Sequence, residues 1–275
     1  MIKEYLEYQM AVKGLGARTI EEYGKDLREW VSWAKGRGLT WRTTRKQDVD
    51  DWTRWMTGRG LMPRTIKRRV SCLRCVYRWA VHEGLLEVNP AQWCQTPKAK
   101  ETLPEVVDVS MVDAWLMNGG GKPRRTDAMH GDIRLLVAML IETGCRISEA
   151  LSMRWEEIDL SANRVLVEGK GGRARYVYFG ERVNRELCGK TAKHGLVWTW
   201  SDREAREAMY ETLGKYLPGV HPHLLRHTFA TMMVERGMQL KTLSVLLGHK
   251  HEATTEIYTH VAESTLGREY KHYSF

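Results

Sequence analysis

The first third of the chain contains an internal repeat. Residues 14–38, GLGARTIEEYGKDLREWVSWAKGRG, align without gaps with residues 60–84, GLMPRTIKRRVSCLRCVYRWAVHEG. Both copies have a Gly-Leu entry, an Arg-Thr-Ile start, a central leucine, Trp-Ala near the end and a closing glycine. This pattern predicts two similar helices packed in one bundle. Thr19 and Glu22 have the spacing of a capping box, which predicts Thr19 as the N-cap of the first of these helices.

The repeat lies in a larger helical region. Helical patterns around 2–13 and 46–58 flank and separate the two copies, so residues 1–87 are expected to form a four-helix N-terminal domain. Residues 88–104 contain three prolines, scattered charge and no periodicity. Such a stretch predicts a linker, and residues 105–275 are then expected to form a second domain.

The second domain is expected to be mainly α-helical with a small antiparallel β-sheet. Ser110 is predicted to cap a helix over 111–117, and the apolar stretch 132–144 predicts a buried helix closed by its final glycine. Residues 163–180, NRVLVEGKGGRARYVYFG, contain two alternating runs around Gly-Lys-Gly-Gly. That arrangement predicts a β-hairpin.

The second copy of the repeat concentrates the positive charge of a chain whose formal net charge is +9. Its apolar side chains recur at helical spacing, at Ile66, Val70, Leu73, Tyr77 and Val81. Four basic residues lie mostly off that stripe and could follow a phosphate backbone: Lys67, Arg68, Arg74 and Arg78. A solvated basic face is the alternative interpretation.

The composition favours a cytoplasmic protein. No stretch approaches the roughly 20 apolar residues of a membrane span, and the start, MIKEYLEYQM, lacks the pattern of a signal peptide. Five cysteines are an odd count for a secreted disulfide framework, so a reducing compartment fits better. Cys72 and Cys75 lack a second pair or a suitably spaced histidine, which favours a packing role over a zinc or redox role.

Four short clusters in the second domain hold polar groups that could take part in anion binding or catalysis. They lie in TGCRISEAL, EGKGG, HPHLLRHTFATMM and LLGHKHEATTEIYTH. The candidate residues are Arg146, Glu149, Lys170, His223, Arg226, His249 and Tyr258. Taken singly, each has an ordinary alternative: a surface arginine, a solvated lysine or a packed tyrosine. His223 and Arg226 are three residues apart at a predicted helix start, where the helix dipole favours an anion.

The histidines of these clusters also allow a zinc site to be considered. Its ligands would be His221, His223, His249 and His251. The His-x-His spacing is loose, and no cysteine or nearby carboxylate completes a standard arrangement. No metal is therefore expected.

The order of these clusters resembles the tyrosine site-specific recombinase family, also called the phage integrase family. The motifs that match are HLLRHTFAT, followed by LLGH and then TTEIYTHV. The stretch GLMPRTIKRRVSCLRCVYRWAVHEGLLEVNPA is similar to that family's core-binding domain, particularly in the Xer-like branch. The resemblance extends over nearly the whole chain. It implies a helical core-binding domain followed by a mixed α/β catalytic domain.

The resemblance also implies a reaction and a role for each candidate. In this family a tyrosine attacks a DNA phosphate and leaves a 3′-phosphotyrosyl link and a free 5′-hydroxyl. Tyr258 is then the nucleophile, Arg146 and Arg226 clamp the phosphate, and Lys170 protonates the leaving oxygen. His223 assists as a general acid/base, His249 donates a hydrogen bond to the phosphate and Glu149 supports the site.

No cofactor is expected, because the phosphotyrosyl bond keeps the free energy needed for religation. The expected partner is double-stranded DNA with specific recombination sites, bound by a homotetramer on two sites, with an accessory DNA-binding or translocase protein in some systems. The location would be the nucleoid. The role, whether integration, excision or dimer resolution, stays open. Two alternatives are a type IB topoisomerase-like enzyme and a non-catalytic DNA-binding regulator of the same fold.

Overall fold

The chain divides into two compact units, Met1–Glu101 and Thr102–Phe275. The division falls inside the predicted linker, 88–104. The computed structural model describes residues 1–98, 105–118, 127–169, 172–190, 194–248 and 258–259, without the side chains of 18 and 127–132. Among these residues, no helix is both long enough and apolar enough to cross a bilayer.

Within residues 1–98, the N-terminal unit consists of four helices around an aromatic core. They are α1 (Ile2–Ala11), α2 (Ala17–Lys35), α3 (Lys46–Gly58) and α4 (Pro63–His82). The largest buried side chains in this core include Trp30, Trp52 and Tyr77. The Trp30 and Trp52 rings pack edge to face with centroids 5.0 Å apart, a favourable geometry for aromatic pairs. The predicted helical bundle is confirmed.

The internal repeat is preserved in the backbone. Helices α2 and α4 begin at aligned positions, Ala17 and Pro63. Each is followed by an aligned glycine in the left-handed region, Gly38 and Gly84, both with φ of 68°. Glycine adopts this conformation without a steric penalty. The closing glycine of each copy therefore ends its helix in the same way.

Two predicted N-caps are wrong. Helix α2 begins two residues before Thr19, with Gly16 in the extended N-cap position. Thr19 therefore lies inside the first turn, where its amide bonds the Gly16 carbonyl at 2.9 Å. The helix α5 (Val109–Met117) is capped by Asp108, whose carboxylate accepts from the Ser110 amide at 2.9 Å. A carboxylate at the N-cap also matches the positive end of the helix dipole.

The first part of the predicted linker packs on the N-terminal unit. Ala91 and Cys94 are buried in its core. The Arg74 guanidinium donates to the carbonyls of Ala91 and Cys94 at 3.0 and 2.9 Å, and the Asn89 amide donates to the Arg74 carbonyl at 3.1 Å. These bonds fix residues 89–94 against α4. Arg74 is half-buried and its guanidinium is committed to the backbone, which argues against the predicted phosphate contact.

The C-terminal unit is built around a central buried helix. In the described part of this unit the helices are α5, α6 (Asp127–Thr143), α7 (Ile147–Leu151), α8 (Glu181–Cys188), α9 (Asp202–Glu211), α10 (Pro222–Glu235) and α11 (Leu240–Leu247). Helix α6 begins earlier than predicted but ends where predicted, before Gly144. From Ile133 to Ile141 nearly all of its side chains are buried. The prediction of a buried helix here is confirmed.

The predicted hairpin forms within a small antiparallel sheet. Strands β1 (Ile158–Asp159), β2 (Arg164–Gly169) and β3 (Arg173–Tyr178) lie in that order. Val165 pairs with Val177, and both are buried in the core. Because side chains alternate across a strand, Arg175 has the same phase as Val177 and is directed to the core-facing side.

Gly144 is expected to be the most sensitive glycine of this unit. Its φ is +62°, and a Cβ built there would lie 2.2 Å from Phe229 Cδ1. We expect Gly144→Ala to lower the free energy of unfolding by about 2–5 kcal/mol, combining backbone strain with overpacking. Gly219, with φ of +83° and no atom within 4 Å of its Cβ position, is the matched control. Urea unfolding should show a loss of only about 1–2 kcal/mol for Gly219→Ala. Equal losses would contradict the packing argument.

Candidate active site

A buried arginine lies at the centre of the candidate site. Arg226, on the second turn of α10, is only 6 % exposed. Its guanidinium donates to the carbonyls of Gly144 and Leu247, both at 2.8 Å. No carboxylate among the described residues is within ion-pair distance of it. The end of α6 and the end of α11 are therefore joined through one cation, which also satisfies a C-terminal carbonyl of α11.

A second group of charges surrounds Glu149 on α7. The Glu149 carboxylate accepts from the Arg146 guanidinium at 2.7 Å and from the Arg146 amide at 2.8 Å. Arg175 of β3 donates to both Glu149 oxygens at 3.1 and 2.8 Å and to the Leu246 carbonyl at 2.8 Å. Burial alone would raise the pKa of Glu149, but the bonds from Arg175 and Arg146 hold that pKa below its usual value. Glu149 is therefore an anion that fixes two arginines.

The site has an excess of positive charge. The charged groups that act most strongly on Arg226 are Arg146, Arg175 and the single carboxylate of Glu149. Burial, and then the neighbouring Arg146, lower the pKa of Arg226 to about 10, so it remains a cation at neutral pH. Among the residues that the structure describes here, three guanidinium groups thus face one carboxylate. Such a cluster is suited to bind an anion, and guanidinium groups suit phosphate oxygens in particular.

His223 adds a titratable group at the rim of this cluster. It is exposed in the first turn of α10, one turn before Arg226. Its pKa is lowered, first by desolvation and then by the charges of Arg206, His221, Arg226 and Arg146. His221 has a structural role instead, because its Nδ1 caps α10 by accepting from the Leu224 amide at 3.0 Å.

The candidate nucleophile is buried beside α10. Tyr258 is 1 % exposed and packs in a small apolar cluster that includes Phe229 and Leu247. Its hydroxyl lies 2.6 Å from Nδ1 of His227, the residue after Arg226. Burial raises the pKa of Tyr258 to about 12, although the charge of Arg226 acts in the opposite direction. The phenol therefore needs a proton acceptor before it can attack.

Comparison with known proteins identifies the family to which the chain belongs. Residues 124–265 match the phage integrase family, and residues 2–84 match the phage integrase N-terminal SAM-like domain. The chain is 31 % identical to tyrosine recombinase XerC of Mycobacterium bovis over 97 % of its own length and 95 % of that protein. The chain belongs to the phage integrase family.

Two further recombinases are similar to this chain, one in sequence and one in fold. XerC of a Mycobacterium species, strain KMS, is 34 % identical over 73 % of either chain. The XerH site-specific recombinase, solved bound to a palindromic difH substrate in a post-cleavage complex, has the same fold with a TM-score of 0.74. It is 17 % identical, and the match covers 98 % of this chain and 82 % of XerH. The chain is a tyrosine recombinase, a DNA strand-exchange enzyme. The topoisomerase-like and regulator alternatives are not favoured.

The structure brings together only part of the predicted site. Arg146, Glu149, His223, Arg226 and Tyr258 all lie on or beside α7 and α10. Lys170 and His249 lie outside the described residues, although their neighbours approach the site. A Cβ at Gly169 would be 3.6 Å from Glu149 Oε1, and a Cβ at Gly248 would be 2.8 Å from Arg175 Nη1. Their proposed roles stay predictions.

Sequence reasoning missed two residues that contact the candidate site. Arg175 was not a candidate, although a cation in phase with the buried Val177 is an unusual feature in a strand. His227 lies inside the HLLRHTFAT motif but has no role in the predicted set. Its contact with Tyr258 joins residues 31 positions apart, and no local pattern indicates such a contact.

The basic helix α4 presents a narrower cationic face than its sequence suggested. Arg68 contacts the buried Asp26 and lies 4.0 Å from Glu22, both on α2. Arg74 is bound to backbone carbonyls. Lys67 and Arg78 are exposed, and neither has a carboxylate partner within the described part of the chain. Together with the exposed Arg64 they follow one side of the helix, because spacings of three and fourteen residues return to the same face.

Proposed function

We propose that this recombinase cuts and rejoins DNA strands through Tyr258, with Arg146 and Arg226 holding the scissile phosphate. The observation that supports this most directly is the buried Arg226. It is a cation without a carboxylate partner among the described residues, placed beside Arg146 and one residue from the side chain that contacts Tyr258. A site with this charge excess stabilises the negative charge that develops on phosphate during attack.

The proposed reaction has two halves. The Tyr258 oxygen attacks phosphorus, the bond to the 5′-oxygen breaks, and a 3′-phosphotyrosyl link forms. Lys170 gives a proton to the leaving 5′-oxygen, while His223 and His249 act on the phosphate as acid/base and hydrogen-bond donor. A 5′-hydroxyl from another strand then reverses the same steps. Since a phosphodiester replaces a phosphotyrosyl ester, neither a metal nor a nucleotide enters the scheme.

Covalent capture tests the proposal and identifies the target sequence in the same experiment. Tagged protein would be incubated with sheared genomic DNA of its source organism, denatured in detergent and purified under denaturing conditions. Sequencing of the attached DNA identifies the target, and mass spectrometry of the digested adduct identifies the linked residue. We expect linkage at Tyr258. Linkage at another residue, or no adduct, would contradict the proposal.

We further propose that Lys67 and Arg78 of α4 contact DNA phosphates. Replacing each with glutamine should weaken binding to duplexes of any sequence and should reduce the magnitude of the salt-dependence slope by about one for each phosphate contact removed. Fluorescence anisotropy on a duplex of arbitrary sequence measures both effects. Arg68→Gln and Arg74→Gln should leave the slope nearly unchanged, because both arginines have protein partners. A slope that changes only in the latter two variants would reverse this assignment.

The working assembly is proposed to be a homotetramer on two DNA sites, acting on the nucleoid in the cytoplasm. An accessory DNA-binding or translocase protein is proposed where the site requires one. Sedimentation of protein with the captured site should give a complex of four chains and two duplexes. The captured sequence also distinguishes the roles: ends of a mobile element indicate integration and excision, whereas one chromosomal or plasmid locus indicates dimer resolution.

A further inference from the structure

The contact between His227 and Tyr258 has no place in the reaction scheme proposed for the phosphate. The Tyr258 hydroxyl is 2.6 Å from His227 Nδ1, and among the described residues no other side chain hydrogen-bonds this hydroxyl. In the tautomer that carries its proton on Nε2, Nδ1 accepts the hydrogen bond that the phenol donates. The distance is within the range expected for a general base and its proton donor.

The position of His227 on α10 is firmly held. Its neighbour Arg226 is anchored at both guanidinium ends by the carbonyls of Gly144 and Leu247. The next residue, Thr228, is buried, and its hydroxyl donates to the Leu224 carbonyl at 2.9 Å and accepts from the Val107 amide at 2.9 Å. These contacts hold the backbone of α10 on both sides of His227. From this fixed backbone position the imidazole contacts the phenol at 2.6 Å.

The phenol has a chemical need for such a partner. With a pKa of about 12, only roughly one Tyr258 in a hundred thousand would be ionised at neutral pH. The excess cations of the site favour the phenolate during attack, but a cation cannot accept the proton. Lys170 is assigned to the leaving oxygen, and His223 lies on the exposed side of the first turn of α10. Among the described residues, His227 is the side chain that contacts the reacting oxygen and can accept its proton.

We propose that His227 is a catalytic residue that accepts the phenolic proton of Tyr258 during cleavage. The inference rests on the proposed role of Tyr258 as nucleophile. The Tyr258 O–H bond breaks and its proton goes to Nδ1, which leaves an imidazolium. The phenolate oxygen bonds to phosphorus as the phosphorus–5′-oxygen bond breaks. In religation the imidazolium returns the same proton to the departing tyrosine oxygen.

The test compares two variants of His227, one that loses only the ability to accept a proton and one that also loses the hydrogen bond to Tyr258. In His227→Asn, the amide oxygen can occupy the place of Nδ1 and still accept the hydrogen bond, but it cannot take the proton. His227→Leu removes both functions. The substrate is a nicked duplex with the sequence recovered by covalent capture, and the readout is the single-turnover rate of adduct formation. We expect both variants to be at least about 100-fold slower, the range usual for loss of a general base. Wild-type rate in His227→Asn would reduce His227 to a positioning role and overturn the proposal.

A second substrate separates the two proton transfers. A 5′-bridging phosphorothiolate has a sulfur leaving group, which departs without needing a proton. We expect this substrate to restore much of the rate of Lys170→Ala but not that of His227→Asn. Relief of His227→Asn by sulfur would assign His227 to the leaving group instead. Gel-shift affinity and far-UV circular dichroism of the same preparations verify that each variant is folded and binds DNA.

A measurement on the wild-type ring keeps the outcome unambiguous. In wild-type protein labelled with ¹⁵N-histidine, the ring signal that responds to Tyr258→Phe belongs to His227, and it should show Nδ1 without a proton. A protonated Nδ1 in the neutral ring would overturn the proposal even if both variants failed to fold. If the wild type forms no adduct, the proposed function fails. If it forms one that His227→Asn forms equally fast, only the present inference fails.

Discussion

Tyr258→Phe is expected to abolish the covalent protein–DNA adduct completely while DNA affinity stays within a few-fold of the wild type. The change removes one oxygen atom from a side chain that is 1 % exposed and keeps the ring that packs against Phe229 and Leu247. The half-buried His227 loses one neutral hydrogen bond, so the stability cost should be about 1 kcal/mol. Without the oxygen there is no atom to bond to phosphorus, and no residual adduct is expected.

The measurement is a denaturing gel of each protein incubated with the nicked captured site. Tyr210→Phe is the matched control, since Tyr210 lies in the same unit and its side chain is 71 % exposed. That control should form adduct at the wild-type level. An adduct of wild-type intensity in Tyr258→Phe, or its loss in Tyr210→Phe, would show that the nucleophile is misassigned.

The sequence predicted the elements of this fold better than their ends. Apolar periodicity identified the bundle and the buried helix α6, because burial of one face is a property that neighbouring residues share. The caps failed for a different reason. Thr19 and Ser110 each have a side chain able to cap, but the helices begin directly after Gly16 and Asp108, and that starting point depends on where the first turn packs against the rest of the unit. Local pattern alone does not contain that information.

For the candidate site, too, sequence patterns identified residues better than they identified the contacts between them. Motif order was enough to nominate Arg146, Arg226 and Tyr258, but it gave no indication that the Glu149 carboxylate binds both Arg146 and Arg175. The sequence pattern likewise did not distinguish the four basic candidates on α4 from one another. Arg68 pairs with Asp26 of the other repeat copy, so the charge difference between the copies partly serves to join them. These are contacts between distant elements, and they become visible only once the elements are packed.

Arg226→Lys is expected to slow adduct formation by at least about 100-fold with little loss of fold stability. The arginine offers five N–H donors, of which the Gly144 and Leu247 carbonyls take two. The remaining donors can reach phosphate oxygens while the anchors stay in place. A lysine ammonium has three donors at a single point and cannot span both carbonyls and a phosphate. Loss of one preorganised donor of this kind commonly costs about 3 kcal/mol of transition-state stabilisation.

Arg226→Ala should combine that loss with a structural one. Both carbonyls lose their donor inside a buried site, and each unsatisfied group costs about 1–3 kcal/mol. The alanine variant should therefore unfold at lower urea concentration than the lysine variant, although neither cleaves well. Arg236→Lys serves as the control, because Arg236 is exposed at the other end of α10. Single-turnover cleavage and urea unfolding on the same preparations separate the two effects. If Arg226→Lys cleaved at the wild-type rate, the buried cation would be only a brace between α6, α10 and α11, and the phosphate clamp would have to lie elsewhere.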